Sequence, residues 1–257
     1  MPESHWDPAQ YDRFRNERSQ PFFDLLALVQ PRPSMRVVDI GCGTGNLTQV
    51  LHAQLNARET IGVDSSDTML AQSSEVAGNG LRFEKGDLRD FHAERAYDLV
   101  FSNATLQWVS GHAELLDRLT RALADGGQIA IQMPANYDHP SHTVAAAIAA
   151  EEPFRTALHG YVRDQSVLQP EEYATILDRL GYRAQHVRLQ VYGHHLQSRD
   201  DVIEWVKGTL LVDYQQRMLA DRFAEFLERY RARLLPRLAD AHPYFYPFKR
   251  ILLWAQH

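Results

Sequence analysis

A chain of 257 residues with 44% apolar and 23% charged residues is long enough to bury a sizeable core, and its formal net charge of -6 excludes the global basic excess of a nucleic-acid binder. The single cysteine, Cys42, excludes an intrachain disulfide and fits a reducing compartment. No apolar run approaches the roughly 18 residues that span a bilayer. The N-terminal MPESHWDPAQYDRF lacks a basic start followed by an apolar stretch, so a soluble cytoplasmic protein without signal peptide or membrane partner is expected.

Along the chain, apolar runs alternate with helical patterns. MRVVDI (35–40) predicts a strand, and NLTQVLHAQL (46–55) a helix with Leu47, Val50, Leu51 and Leu55 on one face. ETIGVD (59–64) is a second strand. DTMLAQSSEV (67–76) is a short helix with Asp67 as the expected N-cap. LRFEKGD (81–87), YDLVFSN (97–103) and QIAIQMP (128–134) are further strands. HAELLDRLTRAL (112–123) is the helix between the last two, stopped by the DGG that follows. Such alternation predicts a parallel sheet with helices on both faces.

After Pro134, residues 141–154 and 170–182 look helical, and 183–196 is a long strand. Residues 198–238 are helical again, with Leu219, Phe223, Phe226, Leu227, Tyr230 and Leu234 in one apolar stripe that packs on its neighbours. KRILLWA (249–255) closes the chain. The expectation is an α/β fold with a Rossmann-like, seven-stranded, mostly parallel sheet. Residues 1–257 form a single domain, with a helical lid at 1–30 and a second, 198–238, inserted before the last strand.

The stretch VVDIGCGTGN (37–46) places Gly41, Gly43 and Gly45 directly after a strand. Glycine is entropically costly, so three in close order mean a sharp turn or a close approach by a ligand. A dinucleotide site reads G-x-G-x-x-G, but the third glycine position is Asn46, which argues against a pyrophosphate on the helix N-terminus. Asp64 ends the second strand, where a carboxylate can accept from both ribose hydroxyls, a feature that NAD enzymes and other nucleoside-binding enzymes share. Asp87 ends the third, where it can accept from an adenine amino group. Asn103, with Gln107 and Trp108, follows the fourth.

In this order and spacing, VVDIGCGTGN, GVDSS, KGDL and YDLVFSNATLQWV resemble the class I S-adenosylmethionine-dependent methyltransferases, over about residues 35–134. The resemblance implies S-adenosyl-L-methionine as cofactor, with the Gly41–Gly43–Gly45 loop against its methionine part, Asp64 at the ribose and Asp87 at the adenine. Asp39, Cys42, Ser65, Met69, Leu88 and Asn103 join that cofactor set. Trp6 and Tyr11 belong to it as parts of the N-terminal lid, with Tyr11 near the sulfonium. Cys42 has no paired base, so it is read as a small loop residue rather than a nucleophile.

Outside the core, WDPAQYDRFRNERSQP, NATLQWVSGHAELL, QMPANYDHPSH and VIEWV resemble family members that esterify a small tricarboxylic acid such as trans-aconitate. A carboxylate is ionised at pH 7 and needs no general base, so no catalytic residue is assigned. A polyanionic acceptor needs cations, and Arg18, His142 and Arg250 are the candidates, each with a surface ion pair as the alternative. Gln107 and Trp108 are expected to line the acceptor pocket, with core packing the alternative for Trp108. The His pairs at 139/142 and 194/195 give no complete ligand set, so no metal is assigned. The partners expected are a small carboxylic acid and no nucleic acid, with a monomer as the default. The alternatives are another methyl acceptor (a natural-product hydroxyl or a carrier-bound carboxylate), a non-catalytic nucleoside-binding protein, or a nicotinamide dehydrogenase, the last opposed by Asn46.

Overall fold

The computed structural model describes residues 15–163 and 165–257, with side chains from residue 19 onward. Its elements run in chain order: α1 (Arg15–Leu26), β1 (Arg36–Ile40), α2 (Asn46–Leu55), β2 (Glu59–Asp64), α3 (Asp67–Ser73), β3 (Leu81–Lys85), β4 (Tyr97–Asn103), α4 (His112–Arg121) and β5 (Leu123–Pro134). Then follow α5 (Pro140–Ala149), α6 (Phe154–Ala157), α7 (Pro170–Arg179), β6 (Ala184–Leu196), α8 (Asp201–Lys207), α9 (Val212–Arg217), α10 (Ala220–Leu234) and β7 (Tyr244–Gln256).

The seven strands form one sheet in the order β3-β2-β1-β4-β5-β7-β6. Pairings among β1 to β5 are parallel, and β7 runs antiparallel to β5. The seven-stranded, mostly parallel sheet with helices is the expected fold. The central strands are covered on both sides, which explains why Val37, Val38, Leu99, Val100, Phe101, Ile129, Ala130 and Ile131 read as unbroken apolar runs rather than alternating ones.

The chain divides into two compact units. One comprises Ser19–Ala135, Ser166–Gln190 and Arg250–His257, and contains the parallel strands. Here Phe22 and Leu25 of α1 are buried, and Gln30 and Gln128 exchange two hydrogen bonds of 2.8 and 2.7 Å, amide to backbone. The other unit includes Asn136–Gln165 and Val191–Lys249. It has its own core, in which Val144, Ile148, Phe154, Trp205, Tyr214, Phe226, Tyr230, Leu234 and Tyr246 are buried together.

Three local expectations are corrected. The N-cap of α3 is Ser66, whose hydroxyl accepts from Met69 N at 3.3 Å, and Asp67 is the first helical residue. α4 ends at Arg121, and the DGG sequence lies inside β5, because Leu123 already pairs with Tyr97 of β4. Leu219 is 84% exposed as the residue that precedes α10, whereas Phe226, Tyr230 and Leu234 carry the buried stripe. Among the described residues, no helix is long and apolar enough to cross a membrane.

Candidate active site

The site lies in the sheet-containing unit, where the carboxyl ends of β1, β2, β3 and β4 meet. Gly41, Gly43 and Gly45 all adopt positive φ, at 78°, 58° and 78°, which explains three glycines at alternate positions. The N–H groups of Gly41 and Cys42 both donate to Val63 O, at 2.7 and 3.1 Å, and draw the loop across the end of β2. The three glycines differ in what surrounds them. A Cβ on Gly41 would overlap the Thr105 side chain, and one on Gly45 would meet Phe83 at 2.6 Å. A Cβ on Gly43 would meet nothing within 4 Å among the described residues, which leave open space there.

Asp64 organises the loop. One carboxylate oxygen accepts from Gly43 N at 2.9 Å, and the other accepts from Ser66 N at 2.9 Å. Each oxygen keeps a second lone pair, so the acid can accept two further hydroxyl donors without releasing the backbone. Asp39 lies beneath, 4% exposed, with Thr48 Oγ1 donating to it at 2.6 Å. Burial pushes its pKa up to about 7, and the charge of Asp64 adds to that rise, while the Thr48 hydrogen bond opposes it. Cys42 is part-buried between these acids. Burial raises its thiol pKa strongly, and Asp39 and Asp64 raise it further, which is the environment of an inert thiol.

β3 stops at Lys85, so Asp87 lies in the loop just after the strand rather than at its end, under a fork from Arg89, whose Nε lies 3.0 and 3.1 Å from its two oxygens. This hydrogen bonding holds its carboxyl below the usual range. Ser65, Met69 and Leu88 sit beside these acids in the loops and the helix that follow β2 and β3; Leu88 is buried.

The β4 end brings another group together. Ser102 donates to Ile40 O at 2.7 Å, tying β4 to β1. Asn103 stands opposite Gln132 of β5 in the strand register. Among the described residues, Asn103 Oδ1, Gln107 Oε1 and Gln132 Nε2 are buried without a hydrogen-bond partner. Gln107 Nε2 donates to Ala104 O at 2.6 Å. Arg250, the β7 partner of Pro134, is 6% exposed with Nη1 3.4 Å from Gln132 Oε1. Arg250 is therefore a buried residue rather than a surface one. Trp108 is 44% exposed, which excludes the core alternative. Gln132 was missed by sequence reasoning. The available signal was a glutamine within an otherwise apolar strand (QIAIQMP), where an amide needs a reason to be buried.

His142 lies in the other unit, on α5, with its ring 5.6 Å from that of Tyr137 and Nδ1 3.1 Å from Ser141 Oγ. Burial, with Arg163 adding to the effect, pushes its pKa down to about 3. Burial and Arg163 thus oppose the charged form that the reading of His142 as a cation for a substrate carboxylate requires. His194 of β6 is buried against Trp205, with ring centroids 4.8 Å apart. Trp6 and Tyr11 lie outside the described residues, as does the side chain of Arg18. Among the described residues, no three His, Cys, Asp or Glu side chains gather as a metal site.

A strand ending in an acid, a positive-φ glycine loop with open space before its middle member, and a second acid with spare lone pairs define the class I methyltransferase type of site. The comparisons agree. Residues 37–127 match a methyltransferase domain family. A trans-aconitate 2-methyltransferase of Deinococcus radiodurans is 41% identical over 256 residues, covering 97% of each chain, and one of Methylobacterium nodulans is 39% identical over 98% of each. An S-adenosylmethionine-dependent methyltransferase structure from Mesorhizobium loti shares the fold at TM-score 0.53, with 19% identity over 92% of this chain and 97% of that one. The chain belongs to the trans-aconitate 2-methyltransferase family. It is an enzyme of the S-adenosylmethionine-dependent class.

Proposed function

We propose that the protein transfers a methyl group to one carboxylate of a small tricarboxylic acid, with trans-aconitate the first candidate, and makes the methyl ester without a general base. The relatives named for that activity support the substrate class at full length. One observation carries the chemistry. The β4 turn, NATLQWV, holds no acid, histidine or lysine, while beside it are the buried amide of Gln132 and the buried guanidinium of Arg250. Such a site suits an acceptor that arrives already ionised and must be held by donors.

When bound, S-adenosyl-L-methionine supplies a methyl group on a cationic sulfur, electrophilic enough for direct displacement. The residues present fit it. Asp64 offers its two spare lone pairs to the ribose hydroxyls, and Gly43 leaves the space that the methionine part needs. Asp87 takes the adenine amino group from beneath the Arg89 fork, and Ser65, Met69, Leu88 and Asn103 line the same end. Trp6 and Tyr11 are assigned to the cofactor as well. Arg250 and Arg18 hold the carboxylates that do not react, and Gln107 and Trp108 bound the acceptor. Catalysis is then positioning and exclusion of water, and well-oriented reactants can draw about 7–11 kcal/mol of the barrier from that source alone.

The test is methyl transfer from radiolabelled S-adenosyl-L-methionine to trans-aconitate, cis-aconitate, isocitrate, citrate and simple phenols. Base-labile label on trans-aconitate is expected. Label on a phenol instead would replace the substrate while keeping the cofactor site. No label on any acid, with cofactor binding intact by calorimetry, would overturn the proposal.

A further inference from the structure

The turn that carries Gln107 and Trp108 is held from behind by a buried relay. His112 opens α4 and is buried. Its Nε2 lies 3.0 Å from Leu106 O and 3.1 Å from Val109 O, the two ends of the turn. Two carbonyl oxygens require a donor between them, so Nε2 carries the proton and Nδ1 is bare. Nδ1 then accepts the Tyr173 hydroxyl of α7, the oxygen of which accepts from Leu168 N at 3.2 Å. Met133 Sδ of β5 lies 3.2 Å from that oxygen, and the His112 and Tyr173 rings pack at 5.8 Å between centroids. Burial lowers the pKa of the ring, against the opposing pull of the two carbonyls. Ser166 Oγ donates to Gln107 O at 3.3 Å and adds a second tie from the 166–168 segment.

We infer that His112 is a positioning residue for the methyl acceptor: with Tyr173 as its lock, it fixes the Leu106–Val109 turn and so places Gln107 and Trp108. This rests on the proposed reading of that turn as the acceptor wall. Among the described residues, Asp64, Asp87 and the glycine loop make no hydrogen bond to the relay, so cofactor affinity should change far less than acceptor KM. Nothing but a donor at the Nε2 position bonds both carbonyls, so a glutamine, whose amide offers two N–H groups, is the conservative replacement, and phenylalanine fills the space without donating.

The experiment compares wild type with His112→Phe, His112→Gln and Tyr173→Phe. It reads KM and kcat for trans-aconitate, the Kd of S-adenosyl-L-methionine, and hydrogen exchange of the amides in residues 104–111. His112→Phe is expected to raise acceptor KM at least tenfold, to leave cofactor Kd within about twofold, and to speed exchange in the turn. His112→Gln should recover most of the KM, and Tyr173→Phe, which keeps the packing if His112→Phe fails to fold, should show a smaller rise of the same kind. Faster exchange with unchanged KM would overturn the positioning role. A fall in kcat and cofactor affinity together, not rescued by glutamine, would also overturn it, as a general structural defect. Failure of wild type to methylate trans-aconitate would instead sink the reading of function, and this inference with it.

Discussion

Gly43→Ala separates what the loop does for the fold from what it does for the cofactor. The new Cβ meets no atom of the described residues within 4 Å, so no packing among them is disturbed. What remains is backbone strain, because φ is 58° at this position. For a residue with a Cβ that costs about 1–2 kcal/mol, partly offset by about 0.4–1 kcal/mol from the less flexible unfolded chain. A net loss of about 1 kcal/mol lowers Tm by roughly 2–4 °C in a protein of this size. Gly41→Ala has the same kind of strain at φ 78° and in addition displaces Thr105. Overpacking adds about 1–3 kcal/mol, so it should be the less stable variant. Affinity should not follow that order simply. The open side of Gly43 is where the cofactor is proposed to lie, so calorimetry with S-adenosyl-L-methionine should show Gly43→Ala binding at least tenfold more weakly, about 1.4 kcal/mol. A Tm lowered by the expected few degrees with Kd unchanged would refute the assignment of that space.

Other outcomes can be checked alongside. Asp64→Ala should cost about 2–3 kcal/mol in urea unfolding, because two loop N–H groups lose their acceptor, and should also weaken cofactor binding; an unchanged Kd would remove the ribose role. Asp39 has a folded pKa of about 7 against a usual value near 4, so the folded protein binds the extra proton and stability declines as pH rises from about 4 to about 7. The slope reaches at most about 1.4 kcal/mol per pH unit, and Asp39→Asn should flatten it when urea midpoints are compared at pH 5, 6 and 7. Cys42→Ala should keep kcat/KM within about threefold, and intact Cys42 should resist iodoacetamide at pH 8, since its environment disfavours the thiolate. Arg250→Gln should raise KM for trans-aconitate well above any change in cofactor Kd, measured by initial rates and calorimetry.

Most of the sheet was legible because buried parallel strands write themselves as apolar runs, and the acids at 39, 64 and 87 stand where those runs end. The glycine loop was legible because three positive-φ positions leave little choice but glycine. Less legible was anything decided by long-range partners. DGG looks like a helix stop until β5 pairs with β4 through Leu123 and Tyr97. Arg250 looks like a surface cation in KRILLWA until the antiparallel pairing seats it at Pro134, beside Gln132. His142 has no local mark of its depressed basicity, which comes from burial and a distant Arg163. The His112–Tyr173 bond joins residues 61 positions apart, beyond the reach of any local pattern.

Thr105 occupies the volume that a side chain on Gly41 would need. The loop proposed for the cofactor and the turn proposed for the acceptor therefore meet at this residue. An engineer redirecting this enzyme to new acids would naturally randomise 103–109. Thr105 should be held constant in such a library, because its side chain also fills the space directly against Gly41.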